Sequence, residues 1–240
     1  MYWSIICVIY MLELDPSVIL ALVMLSIGSY MDLRYREVPD LLWIVAIVVG
    51  IIVHVMIQPS QLLDNLSVIL ITSVTVVGIS LIAYRLGLFG GADMLALIAL
   101  VIILPIHENS YTPALSTFIN ACILAVITAV PYNVVKNASM VIKGVDIFKG
   151  FNEPLSRKLL AFMIAQRVDK VGRHYAFIAE RDTMDGKRFD LSIKDAEHSS
   201  YAELDEGRWV IVGLPFILYI LVGFVLMLFL DNILIFISKI

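Results

Sequence analysis

Charge is scarce in this chain. Only 16% of its 240 residues are charged, while 60% are hydrophobic and the mean hydropathy is +0.94. Soluble domains carry about 25% charged residues, so this shortage excludes an ordinary globular protein and indicates a polytopic membrane protein. Cysteine is scarcer still. Cys7 and Cys122 stand far apart in apolar stretches, with no Cys-x-x-Cys pair. A zinc knuckle and a disulfide framework are thereby excluded, leaving two small buried hydrophobes. The four histidines are scattered, and the chain has neither a His-Glu-x-x-His motif nor a Gly-x-Ser-x-Gly elbow. No metal, cofactor or nucleic-acid partner is implied.

What is abundant is long apolar runs. A span needs about 20 apolar residues, and six candidates occur at about 16–32, 40–58, 65–86, 93–108, 114–135 and 209–230. The opening Met1–Leu12 is apolar but short, and it lacks a basic n-region and a small-residue cleavage site. It reads as an interfacial segment or as upstream of a true start at Met11, not as a signal peptide. The expected fold is an α-helical polytopic membrane protein: six transmembrane helices with a small α/β cytoplasmic domain between spans five and six. The divisions are 1–15, an N-terminal extracytoplasmic or interfacial segment; 16–135, a five-helix membrane domain; 136–208, a cytoplasmic domain; and 209–240, the sixth helix and tail.

Basic residues set the orientation. Arg34, Arg36, Arg85, Lys136 and the group from Lys143 to Arg208 fall on one side of the six spans; only Lys239 does not. The positive-inside rule makes that side the cytoplasm of a plasma-membrane protein and places both termini outside. Within 136–208, Pro154–Val168 has helical spacing of Leu155, Leu159, Phe162, Met163 and Gln166. Tyr175–Ala179 and Phe189–Ile193 alternate like strands around an Asp185-Gly186 turn signal. A further strand is expected near Gly207–Ile211, with Trp209 at the membrane interface. The acidic stretch after Glu180 reads first as a solvated face.

Two carboxylates stand out against this background. Asp32 ends the apolar run Val18–Met31, and Asp93 follows Gly90-Gly91-Ala92 at the start of another. Alternating spans open both to the cytoplasm. Carboxylates at membrane depth are costly and usually functional. Two close together share a proton, so one acts as general base on a water while the other hydrogen-bonds a scissile carbonyl. Asp93 begins a helix, whose dipole favours the anion, and Asp32 ends one, so Asp93 is expected to be the base. Gly90, Gly91 and Ala92 would form a flexible loop letting a substrate strand approach, within a moving linker Tyr84–Ala92. The plain alternative is that such aspartates are caps or interface residues, as Asp40 after Pro39 is read to be. A cation- or proton-coupled transporter using the same carboxylates, or a membrane scaffold, also stays open.

Gly90-Gly91-Ala92-Asp93 resembles the Gly-x-hydrophobic-Asp signature of the membrane aspartyl proteases that process type IV prepilins and archaeal preflagellins. Asp32–Pro39 (Asp-Leu-Arg-Tyr-Arg-Glu-Val-Pro) is similar to the family's first connection, and the resemblance covers all six spans in order. It implies that Asp32 and Asp93 are the catalytic pair. It also implies cleavage of short basic leaders from preflagellin or prepilin-like substrates at the cytoplasmic face, next to the lipid bilayer. The paired Cys-x-x-Cys motifs of the large bacterial enzymes are missing, so no methyltransferase activity is implied. A cytoplasmic domain before the sixth span resembles the archaeal branch. Pro113-Ala114-Leu115 echoes a presenilin motif but falls on the outer side and reads as a helix start. Glu37 is the candidate contact for a basic leader.

Overall fold

The computed structural model describes residues 15–57, 65–85, 90–107, 110, 112–168, 172–174, 176–184, 186–191, 202–204, 207–230 and 233. The helices are α1 (Pro16–Tyr35), α2 (Asp40–Ile57), α3 (Leu66–Arg85), α4 (Gly91–Ile103), α5 (Pro113–Ile142), α6 (Leu155–Ile164) and α7 (Phe216–Leu230). Between α6 and α7 lie β1 (Gln166–Arg167), β2 (Gly172–His174), β3 (Ala176–Ile178), β4 (Glu180–Thr183), β5 (Gly186–Phe189), β6 (Ala202–Leu204) and β7 (Trp209–Val212). Among the described residues, α1, α3 and α5 are long and apolar enough to cross a membrane, while α2, α4 and α7 are apolar but shorter. The chain divides into two compact units: 1–82, 91–122 and 215–240 form the first, 83–90 and 123–214 the second.

The first unit is a helical bundle. Asp15 caps α1 by accepting from the Ser17 N–H at 2.9 Å, with Pro16 in the first turn. Helix α1 packs on α2, α4 and α7, and α2 packs on α4. Three glycines permit close crossings, the tightest at Gly223 of α7, where a Cβ would sit 2.7 Å from the Thr117 carbonyl oxygen of α5. A Cβ on Gly28 would sit 2.8 Å from the Trp43 ring and 3.4 Å from Ile217, and one on Gly50 would sit 2.9 Å from the Ile103 side chain. Trp43, Leu25, Leu97, Leu100, Ile217, Ile220 and Phe224 fill the space between the helices. The outer faces are the reverse of a soluble bundle: Ile44, Val48, Ile52 and Val55 on α2, and Leu70, Ile71, Val74 and Ile82 on α3, are all exposed. Contiguous apolar surface on this scale needs a lipid solvent.

The second unit contains the α6 helix and the strands. Strand β7 is central, antiparallel to β1 and β3, while β2 pairs with β6 and β4 with β5. The hairpin at the Asp-Gly signal closes between β4 and β5, with Thr183 opposite Gly186. Asp185 itself lies outside the described residues. The flanking strands are closer to the turn than the alternation suggests, and β3 pairs with β7 instead. Phe151 stacks on Phe189 at 4.3 Å and Phe148 on Trp209 at 5.4 Å. Glu180 accepts from the Trp209 N–H at 3.2 Å and meets the Lys187 ammonium at 2.9 Å.

Several boundaries differ from the sequence reading. The last helix starts at Phe216, not 209, because Trp209–Val212 is held between two strands and Pro215 then opens α7. Trp209 is fully buried in the second unit's core rather than at an interface, its indole N–H donating to the Ile147 carbonyl at 3.0 Å. Helix α6 stops at Ile164, and Gln166 is in a strand. Asn137 explains the stop. Its buried amide donates to the Phe162 and Ala165 carbonyls at 2.9 and 2.8 Å and accepts from the Arg167 N–H at 3.2 Å. Helix α5 runs on to Ile142, and Pro113 is its first residue.

The glycine crossings give a stability test. Gly28→Ala should lower stability by about 1–3 kcal/mol through overpacking against a rigid indole. Gly78→Ala, where nothing lies within 4 Å, should be neutral or stabilising by up to ~1 kcal/mol. Thermal unfolding of the detergent-solubilised protein measures both, and equal effects would contradict the packing.

Candidate active site

The contacts of the first unit align the helix ends. Gly28 near the end of α1 meets Trp43 near the start of α2, so these two helices are antiparallel. Gly50 meets Ile103, and the His54 imidazole is hydrogen-bonded to the Ile103 carbonyl at 2.8 Å, so α2 and α4 run parallel. The end of α1 and the starts of α2 and α4 therefore share one end of the bundle. Asp32 is in the last turn of α1 and Asp93 is the third residue of α4. Both are half-buried, at that shared end.

Helix α7 adds its first turn. The Ser29 hydroxyl donates to the Ile217 carbonyl at 3.2 Å, and the Asp32 carboxyl accepts a hydrogen bond from the Ile217 backbone. The first N–H groups of a helix have no partner within it and carry its positive end. Asp32 thus ends its own helix but faces the beginning of another.

Arg36 stands beside Asp32 and interacts with it electrostatically. It ends α1 in the left-handed region at φ 58°, and its N–H donates to the Asp32 carbonyl at 3.1 Å. Sequence reasoning counted Arg36 only as a topogenic charge. Its spacing of four from Asp32 on a helix was the available signal. The Ile217 contact had none, since it joins residues far apart in sequence. The second carboxyl oxygen of Asp32, Oδ2, is buried and has no hydrogen-bond partner among the described residues.

The glycine loop is shorter than the sequence suggests. Gly91 and Ala92 belong to the first turn of α4, and Gly90 alone precedes it, exposed. An acidic residue in the first turn favours helix initiation there, which draws Gly91 and Ala92 into the helix. Of the linker Tyr84–Ala92, residues 86–89 lie outside the described residues. Asp40 is the first residue of α2, and Glu37 is exposed on the short connection before it. Among the described residues, no three His, Cys, Asp or Glu side chains converge as a metal site would require.

No curated protein matches this chain. Residues 19–130 match the model of the type IV leader peptidase family, a segment containing both aspartates, Arg36, Glu37 and Gly90–Ala92. The match, in a chain with helices able to cross a membrane, supports its assignment to the prepilin and preflagellin peptidase family, proteases of the aspartic type.

Proposed function

We propose that Asp32 and Asp93 are the catalytic pair of an aspartic endopeptidase that removes short basic leaders from preflagellin or type IV prepilin-like proteins. The placement of both carboxyl groups at one end of the bundle, within the family-matched segment, carries this reading. All six apolar helices take part in crossing the membrane, and the distribution of basic residues orients the pair toward the cytoplasm, with both termini outside. The missing Cys-x-x-Cys pairs support the preflagellin type without methyltransferase activity.

The ionised member of the pair takes a proton from a bound water, whose oxygen adds to the scissile carbonyl carbon. The protonated member donates to the carbonyl oxygen and stabilises the oxyanion. Collapse then expels the amine nitrogen, which leaves with a proton from the carboxyl pair. Asp93 lies in the first turn of α4, and Asp32 lies at the first turn of α7 with the Arg36 charge beside it. Exposed Gly90 leaves room for an extended substrate strand beside Asp93. Glu37, exposed just after α1, attracts the basic leader.

Asp32→Asn and Asp93→Asn should each reduce processing of a basic-leader preflagellin or prepilin in membranes by roughly 10²–10⁴-fold or more at normal expression. Retained cleavage by either variant refutes the pair, and inactivity of the wild type on several leaders points to a transporter instead. Glu37→Lys should raise KM for basic leaders more than it lowers kcat; an unchanged KM removes Glu37 from leader recognition. Arg36→Gly relieves the left-handed backbone, so thermal stability should hold or rise slightly. Cleavage should still fall roughly ten- to a hundredfold, the scale of one charge-assisted contact, mainly in kcat. Full activity with normal stability would reduce Arg36 to a helix cap.

A further inference from the structure

Helix α6 wears its apolar side outward. Leu155, Leu159, Leu160 and Met163 are 72%, 55%, 48% and 44% exposed. The opposite side faces the rest of its own unit. There Ala161 is fully buried and Phe162 packs on the unit's core, the exposed Arg157 reaches back to donate to the Phe189 carbonyl at 2.8 Å, and the Lys158 ammonium lies 5.8 Å from the centre of the Phe148 ring. A helix packed on a water-soluble domain keeps its leucines inside, whereas all three leucines of α6 are exposed. Four large apolar side chains on one free face indicate an apolar partner.

The position of α6 on α5 identifies that partner. Asn133 donates to the Met163 carbonyl at 3.2 Å, and Asn137 holds the Phe162 and Ala165 carbonyls. The end of α6 is therefore fixed to α5 at 133–137. Helix α5 has 30 residues, about 45 Å at 1.5 Å per residue, against a hydrocarbon core of about 30 Å. Counted from Pro113, roughly twenty residues cross the core, so Asn133 and Asn137 stand where the helix leaves it. Val126, Ile127, Tyr132 and Val135 are exposed apolar residues around α5 that lead to the same level. Lys143 and Lys149, both exposed on the chain between α5 and α6, supply ammonium groups for lipid phosphates.

We infer that α6 is an interfacial helix, its Leu155, Leu159, Leu160 and Met163 face inserted at the boundary of headgroups and acyl chains of the bilayer that α5 crosses. The surface is a lipid-binding one, and it is independent of the peptidase reading. It fixes the second unit against the membrane through its own side chains as well as through the spanning helix.

The test uses the full-length protein in phosphatidylcholine–phosphatidylglycerol vesicles, with Cys7→Ala and Cys122→Ala removing the native thiols. A nitroxide is placed by Leu159→Cys, by Met163→Cys or, as a control on the exposed β4 edge, by Asp182→Cys. Collision rates with oxygen, which partitions into lipid, and with a water-soluble nickel chelate are compared. Labels at 159 and 163 should collide preferentially with oxygen and the label at 182 with nickel, giving log ratios of opposite sign. Nickel-dominated collisions at 159 and 163 would overturn the inference by showing a face in water. Immobilised labels shielded from both reagents would overturn it in favour of a protein cover, a second copy or a substrate helix. Both labelled residues are exposed, so neither substitution removes packing that the fold needs, and cleavage activity does not enter the readout.

Discussion

The joint between the end of α1 and the start of α7 governs the first unit. Residues nearly the whole chain apart meet there. Ser29 donates to the Ile217 carbonyl, Asp32 accepts from the Ile217 backbone, and Gly28 lets both Ile217 and Trp43 close on the α1 backbone. Each contact depends on the others. A side chain at position 28 would push Ile217 away, and without Ile217 the end of α1 would lose a donor at the Asp32 carboxyl. Small residues at helix crossings are how membrane helices approach closely where burial of apolar surface supplies little drive. The joint also explains why α7 begins so abruptly. Pro215 ends the extended segment after β7 and leaves the first N–H groups of α7 free for partners outside the helix.

This joint adds a second helix end to the surroundings of Asp32. Asp93 begins its helix, and Asp32 is brought to the beginning of another by packing alone. Burying a carboxylate demands hydrogen bonds and positive partial charge around it, and helix N-termini provide both without a basic side chain reaching into the apolar region. Arg36 adds a full charge beside Asp32, at the end of α1, where the left-handed cap fixes its backbone. On the peptidase reading, the pair shares a proton because of mutual proximity, and the helix ends set how readily that proton moves.

The local patterns were legible and the long-range ones were not. Hydrophobic runs located the six apolar helices because lipid-facing and core-facing residues are both apolar in a membrane bundle. Asp32 and Asp93 were visible because a carboxylate beside such a run has few cheap explanations. Trp209 was misread for the same reason that the spans were found. Trp209–Val212 is apolar enough to pass as the start of a span, and only its pairing with β1 and β3 identifies it as a central strand. Helix α6 shows a subtler failure. The spacing of Leu155, Leu159 and Met163 correctly indicates a one-sided helix, but spacing does not say which side the rest of the protein covers. Its early stop at Ile164 is dictated by Asn137, a buried amide on a helix well removed in sequence. Ile217 at the Asp32 carboxyl is invisible in the sequence for the same reason of distance.

Helix length constrains the site's depth. At 1.5 Å per residue, the 13 residues of α4 reach about 20 Å, while the hydrocarbon core is about 30 Å thick. A helix of that length cannot carry both of its ends to the two membrane surfaces unless the bilayer thins or one end stays submerged. The opposite end of α4 is anchored by a backbone carbonyl, Ile103, held by His54 near the end of α2. A submerged α4 N-terminus places Asp93, and with it the shared end of the bundle, below the lipid surface. Polar groups at that depth are tolerated where they line a water-filled recess. On the peptidase reading, hydrolysis needs the same recess, because water must reach the scissile bond while the apolar helix of the substrate remains in lipid. On that reading, a short α4 therefore supplies what a long one would deny: a carboxylate inside the membrane's thickness, reached by water from one side.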